Sequence, residues 1–130
     1  MPHRTPRTLV KTSMAPAAIG PYSQAVHVGN TLFCSGQIPI DPATGSLVSG
    51  TIEQETERVF QNLRAVLKGA SMDLSDVVRV TVFLTSMEDY GQVNEVYARY
   101  FSDTLPARET VAVSALPRGA RVEISCTAVS

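Results

Sequence analysis

Residues 51–69, TIEQETERVFQNLRAVLKG, constrain the fold of this 130-residue chain more than any other stretch. Thr51 and Gln54 have the spacing of a capping box, in which each side chain satisfies a backbone N–H that the first helical turn leaves free. Ile52, Thr56, Val59, Phe60, Leu63, Val66 and Leu67 then recur at three- and four-residue spacing, and Gly69 supplies a natural stop. A helix with one apolar stripe has to bury it. Further on, Tyr90, Val93, Tyr97, Tyr100 and Phe101 line one face of a second helix, with Thr85-Ser-Met-Glu88 ahead of it in the form of another capping box. Two such helices need a common surface to cover.

The rest of the chain supplies that surface. RTLVKT, Arg7–Thr12, alternates well enough to be a first strand. Ser23–Val28 and Thr31–Ser35 flank Gly29-Asn30, a two-residue hairpin signal. Val77–Leu84, VVRVTVFL, is rich in β-branched residues and reads as a central strand. Thr110–Val113 and Arg121–Val129 complete the set, and QIPIDPATGSLVSG, with its prolines and glycines, reads as a loop. The order β-β-β-α-β-α-β-β, with neither repeat nor linker, predicts one domain over residues 1–130. Its predicted class is α+β, a two-layer sandwich with two helices on one face of a mixed six-stranded sheet. The second sheet face is left either wet or covered by another subunit.

Composition narrows the function classes. Eleven Lys plus Arg stand against twelve Asp plus Glu, so the basic surplus usual in nucleic-acid binders is missing. Neither a membrane-length apolar run nor a signal-peptide core is present. The N-terminal stretch is basic and free of acids, as transit peptides are, but its two prolines and its alternation favour a strand. Cys34 and Cys126, isolated among apolar neighbours, fit buried thiols in a reducing compartment. His3 and His27 have no ligand-spaced companions, so no metal site is expected.

Two charges carry the candidate chemistry. In LPARETVA, Pro106 holds the approach extended and delivers Arg108 to the mouth of a strand. In VEISCTAV, Glu123, Ser125 and Thr127 alternate with Val122, Ile124, Cys126 and Ala128. If these last two strands pair with their apolar faces toward the helices, Arg108, Thr110, Glu123 and Ser125 project from one side. A surface ion pair is the plain alternative to a guanidinium kept for a planar anion. Asn94, set in the apolar stripe of the second helix, needs a hydrogen-bond partner and suits a structural tie. Its tyrosine neighbours suit the core. Ser35, in CSGQ, lacks both the glycine pattern of a nucleophile elbow and a histidine to activate it.

Four separated stretches, APAAIGPYSQAV, SGQIPIDPATG, QVNEVYARYF and LPARETVAVSALPRGARVEI, together resemble the RidA (YjgF) family of reactive-intermediate deaminases across essentially the whole chain. The resemblance implies a chorismate-mutase-like fold and a homotrimer with ligand clefts between subunits. It also implies hydrolysis of the enamine and imine intermediates released by pyridoxal-phosphate-dependent dehydratases, to 2-keto acids and ammonia, in the cytoplasm and without metal or cofactor. A mitochondrial location is the alternative that the basic N-terminus leaves. Carried over by motif, Arg108 clamps the substrate carboxylate, Glu123 positions the attacking water, and Tyr22 and Ser35 line the pocket. Gly36 permits close backbone approach. Thr110 stands where many relatives have cysteine, and its backbone amide can still reach a carboxylate. Ser125 replaces a second acid. The competing readings are a non-catalytic trimeric module that senses small carboxylates, and a ribonuclease or translation inhibitor, which the neutral charge disfavours.

Overall fold

The computed structural model describes residues 4–130, and His3 lies outside them. Six strands form one sheet: β1 (Arg7–Val10), β2 (Ala25–Val28), β3 (Thr31–Gln37), β4 (Val77–Leu84), β5 (Ala107–Ala112) and β6 (Val122–Val129). Two helices, α1 (Ile52–Gly69) and α2 (Tyr90–Tyr100), lie on one face of it. Across the sheet the order is β1-β2-β3-β6-β4-β5. All pairings are antiparallel except β4 with β5, which run parallel because α2 carries the chain back between them.

Local chemistry accounts for most of these elements. Thr51 and Gln54 form the reciprocal capping box at the start of α1. Its stripe buries Val59, Phe60, Leu63, Val66 and Leu67 against Leu32, Val80, Val82, Ile124 and Ala128 of the sheet. The β2–β3 hairpin turns on Gly29-Asn30, with Val28 opposite Thr31 and Gly29 at φ +59°, where the missing Cβ removes the steric penalty.

Several expectations need correcting. The second capping box does not form, because the hydroxyl that caps is that of Ser86, which accepts from the Glu88 N–H over a short 3-10 turn. Helix α2 starts only at Tyr90, and its N-cap residue Asp89 makes no side-chain cap. Strand β5 begins at Ala107, so Arg108 and Glu109 lie inside it, while β1 ends at Val10. The largest correction is topological. β5 does not pair with β6; β4 lies between them, and β5 is an edge strand.

The faces follow from that register. Arg108, Thr110 and Ala112 stand opposite Val80, Val82 and Leu84, all buried beneath the helices. Glu109 and Val111 therefore occupy the helix-free face, where Val111 is 41% exposed. On β6 it is Val122, Ile124, Cys126 and Ala128 that face the helices, so Glu123 and Ser125 lie on the free face with the half-exposed Phe33. Of the four residues expected together on that open face, Glu123 and Ser125 are there, while Glu109 and Val111 take the places of Arg108 and Thr110. An edge strand at the margin of the helical layer can turn a guanidinium inward only because α2 presents polar groups there.

Candidate functional site

Those polar groups are Tyr90, Asn94 and Tyr97, spaced four and three residues apart on one side of α2. Arg108 donates from Nη1 to Asn94 Oδ1 at 2.6 Å and from Nη2 to the Tyr90 hydroxyl at 3.0 Å. Its Cζ lies 4.6 Å from the centre of the Tyr97 ring, within cation–π range. Every one of these partners is neutral. The arginines Arg79, Arg99 and Arg121 instead make ion pairs, with Glu109, Glu57 and Glu55 respectively. Arg108 is thus aimed by dipoles and a π face, and among the described residues no carboxylate neutralises it.

Beside it, the hydroxyls of Thr110 and Tyr97 are buried without hydrogen-bond partners. Burial pushes the Tyr97 phenol up, and the Arg108 charge pulls it partly back. The Thr110 side chain is turned into the protein, so what this residue can offer a ligand is its backbone. Because Val113 N–H donates to Leu84 O, strand alternation turns the N–H groups of Arg108 and Thr110 away from β4. They open to the free edge of the sheet. A guanidinium and an edge amide side by side suit a carboxylate.

The second group of residues gathers around Glu123 on the opposite face. A cavity of about 160 Å³ is lined by Ala17, Ile19, Tyr22, Gly36, Ile40 and Glu123, among others. Gly36 sits where the β3–β6 register shifts, between Cys34 and Gln37. A Cβ at Gly36 would stand 2.8 Å from the Glu123 Cδ, so any other residue there would push that carboxylate out of its present position. Desolvation raises the Glu123 pKa, which favours its protonated form and strengthens it as a base when ionised. Tyr22 is 50% exposed, and its hydroxyl accepts a 3.3 Å hydrogen bond from the Ile19 N–H. Ser35, by contrast, donates its hydroxyl to Ser23 O at 2.6 Å, which braces the strand instead of leaving it free for chemistry.

The expected site residues therefore form two half-sites. Tyr22, Gly36 and Glu123 come together in one cavity, with Ser35 bracing it. Arg108 and Thr110 lie on the other side of the sheet. In a single protomer Arg108 and Glu123 do not meet, because the inference that they do rested on a β5–β6 pairing that is absent.

Two further groups went unread in the sequence. Tyr97 lies in the core and Tyr90 packs against it, as the apolar stripe implies, but with Asn94 they also hold the arginine, which the stripe does not reveal. Gln24, 4% exposed, pins the segment before β2: its Oε1 accepts from Thr12 N–H at 2.7 Å, and its Nε2 donates to Thr12 O at 3.0 Å and Pro16 O at 2.9 Å. A glutamine in GPYSQ, followed at once by apolar AV, was the available signal, since an amide entering a core needs partners.

The model of the Endoribonuclease L-PSP family matches residues 12–130. The chain is 55% identical over 129 residues to the protein DfrA of Myxococcus xanthus, covering 98% of each. It is 50% identical to the 2-iminobutanoate/2-iminopropanoate deaminase of Mus musculus, covering 95% of this chain and 91% of the mouse protein. The crystal structure of E. coli TdcF with bound serine superposes with a TM-score of 0.91 at 36% identity, over 95% of this chain and 99% of that one.

Proposed function

Because the chain belongs to the RidA (YjgF) family, we propose that it is a hydrolytic deaminase acting on small 2-imino acids and the enamines that tautomerise to them. One observation carries this reading: Arg108 is the arginine of the sheet edge held by neutral partners alone, so its charge is free for an anion. The substrate carboxylate docks on that guanidinium and on the Thr110 N–H. The imine carbon then lies toward a Glu123 carboxylate brought by a second copy of the chain, in a trimer whose clefts join the two half-sites. Glu123 takes a proton from water as the oxygen bonds to C2 and the C2=N π pair passes to nitrogen, which receives that proton back from Glu123. The hydroxyl proton of the tetrahedral adduct then passes through the same carboxylate to nitrogen, the C2–N bond breaks, and ammonia leaves the 2-keto acid. One water enters, one ammonia leaves, and the imine carbon keeps its oxidation state.

The deaminase identity of the mouse relative and the bound amino acid of TdcF support a small amino-acid-like ligand. The two unpaired thiols, Cys34 and Cys126, suit the reducing cytoplasm. Functional dependence would run through the pyridoxal-phosphate dehydratases that release 2-aminocrotonate and 2-aminoacrylate. The test couples threonine dehydratase to this protein and follows 2-oxobutanoate formation in a buffer that slows spontaneous hydrolysis. Faster keto-acid appearance supports the enzyme; an unchanged rate with measurable 2-oxobutanoate binding would identify a carboxylate sensor instead.

A further inference from the structure

Across Tyr22 from the Glu123 cavity lies a larger chamber of about 600 Å³. Ala17, Ala18, Tyr22 and Gln24 belong to the walls of both. We propose that this chamber binds an amphipathic monocarboxylate, an aryl- or alkyl-alkanoate, separately from the 2-imino acid handled at Glu123. Its volume falls within the range of small-molecule sites, which pair apolar walls with a few convergent polar groups. Leu9, Val10, Ala15 and Pro42 give the apolar walls, and Lys11, Ser13 and Ser23 give the polar groups.

Charge selects the ligand class. No carboxylate lines the chamber, and Lys11 makes no ion pair or hydrogen bond among the described residues. The chamber is also preformed, since Gln24 locks Thr12 and Pro16 from within. A ligand there presses on Tyr22 and Gln24 and so touches the wall of the neighbouring cavity without occupying it. The proposal does not depend on deaminase activity.

The probe is 4-phenylbutyrate, titrated by calorimetry and by NMR, with 4-phenylbutylamine as the opposite-charge control. The acid is expected to bind with shift changes at Leu9 and Tyr22, while the amine does not bind. Lys11→Met is expected to weaken the acid about fivefold, the scale of one exposed charge contact, and Lys11→Arg to restore it. Ser13→Phe, at an exposed loop position, is expected to plug the chamber and abolish binding with the melting temperature unchanged. Saturating 2-oxobutanoate is expected to leave 4-phenylbutyrate bound. Absence of binding, equal binding of the amine, indifference to Lys11→Met, or displacement by 2-oxobutanoate would each overturn the proposal.

Discussion

Glu123 shows how one residue's surroundings set both its chemistry and its stability cost. Burial raises its pKa, so the folded state holds this proton at pH values where the unfolded chain has released it. Between the ordinary glutamate pKa and the raised one, the native state binds more protons than the unfolded state, and stability therefore falls as pH rises. Glu123→Gln removes that dependence. It is expected to be more stable than the wild type at neutral pH, with the difference fading as pH drops below the ordinary carboxylate range; thermal melts from pH 4 to 8 check the sign. The same variant is expected to lose about a hundredfold in turnover, the lower size of a general-base effect, while still binding 2-keto acids. Wild-type turnover by Glu123→Gln would remove the residue from the mechanism. Asn94 gives the companion prediction. Asn94→Ala deletes the 2.6 Å acceptor that aims Arg108 and leaves its charge in place. The expected result is a rise in KM of roughly tenfold, the loss of one hydrogen bond to a charged group, with a smaller change in kcat. A melting temperature near wild type would separate this from a folding defect. None of this aim was legible from residue identity alone, because an amide in an apolar stripe advertises only that it needs a partner.

At the scale of elements, periodicity and capping chemistry made α1, the Gly29-Asn30 hairpin and β4 readable, since each is specified by residues close in sequence. Sheet order is not local. The chain alone showed that β5 and β6 were strands, but an intervening β4 depends on which pairing lets both helices cover one face. β5 also carries misleading polarity. Its valine side faces away from the helices, and its arginine side faces them, because α2 offers Tyr90, Asn94 and Tyr97 at that margin. Tertiary context overrode the usual reading of alternation. The first strand tests the other kind of assignment. Arg7–Val10 pairs with β2, Val10 is buried, and the Thr12 backbone is clamped by Gln24. Deleting residues 1–12 would strip the β2 edge and leave the Gln24 amide without its Thr12 partners. The expected cost is about 2–3 kcal/mol, from one buried valine and the buried amide bonds, read as a fall on the order of 10 °C in melting temperature. An unchanged melting temperature would show the segment to be dispensable to the domain.

The whole molecule raises the question that no single protomer answers: a guanidinium lies on one side of the sheet and its expected carboxylate partner on the other. Flexing the chain does not solve this, since β4 separates the two strands and its backbone is hydrogen-bonded on both edges. If one active site uses both groups, they come from different copies. The free sheet face, with Phe33 52% exposed and Val111 beside Glu109, gives those copies an apolar and charged surface to share. A cyclic trimer closes such head-to-tail contacts without leaving an open end. Light scattering at micromolar concentration is expected to give three times the protomer mass. Mixing makes the sharper test. Arg108→Ala and Glu123→Gln homotrimers are each expected to be nearly inactive. Co-expressed in equal amounts, they form mixed rings in which an Arg108 from one chain type meets a Glu123 from the other. Random assembly gives that pairing at about one quarter of the interfaces, so activity is expected to return to about a quarter of wild type. If both residues served the same protomer's site, every site in the mixture would lack one of them, and no activity would return.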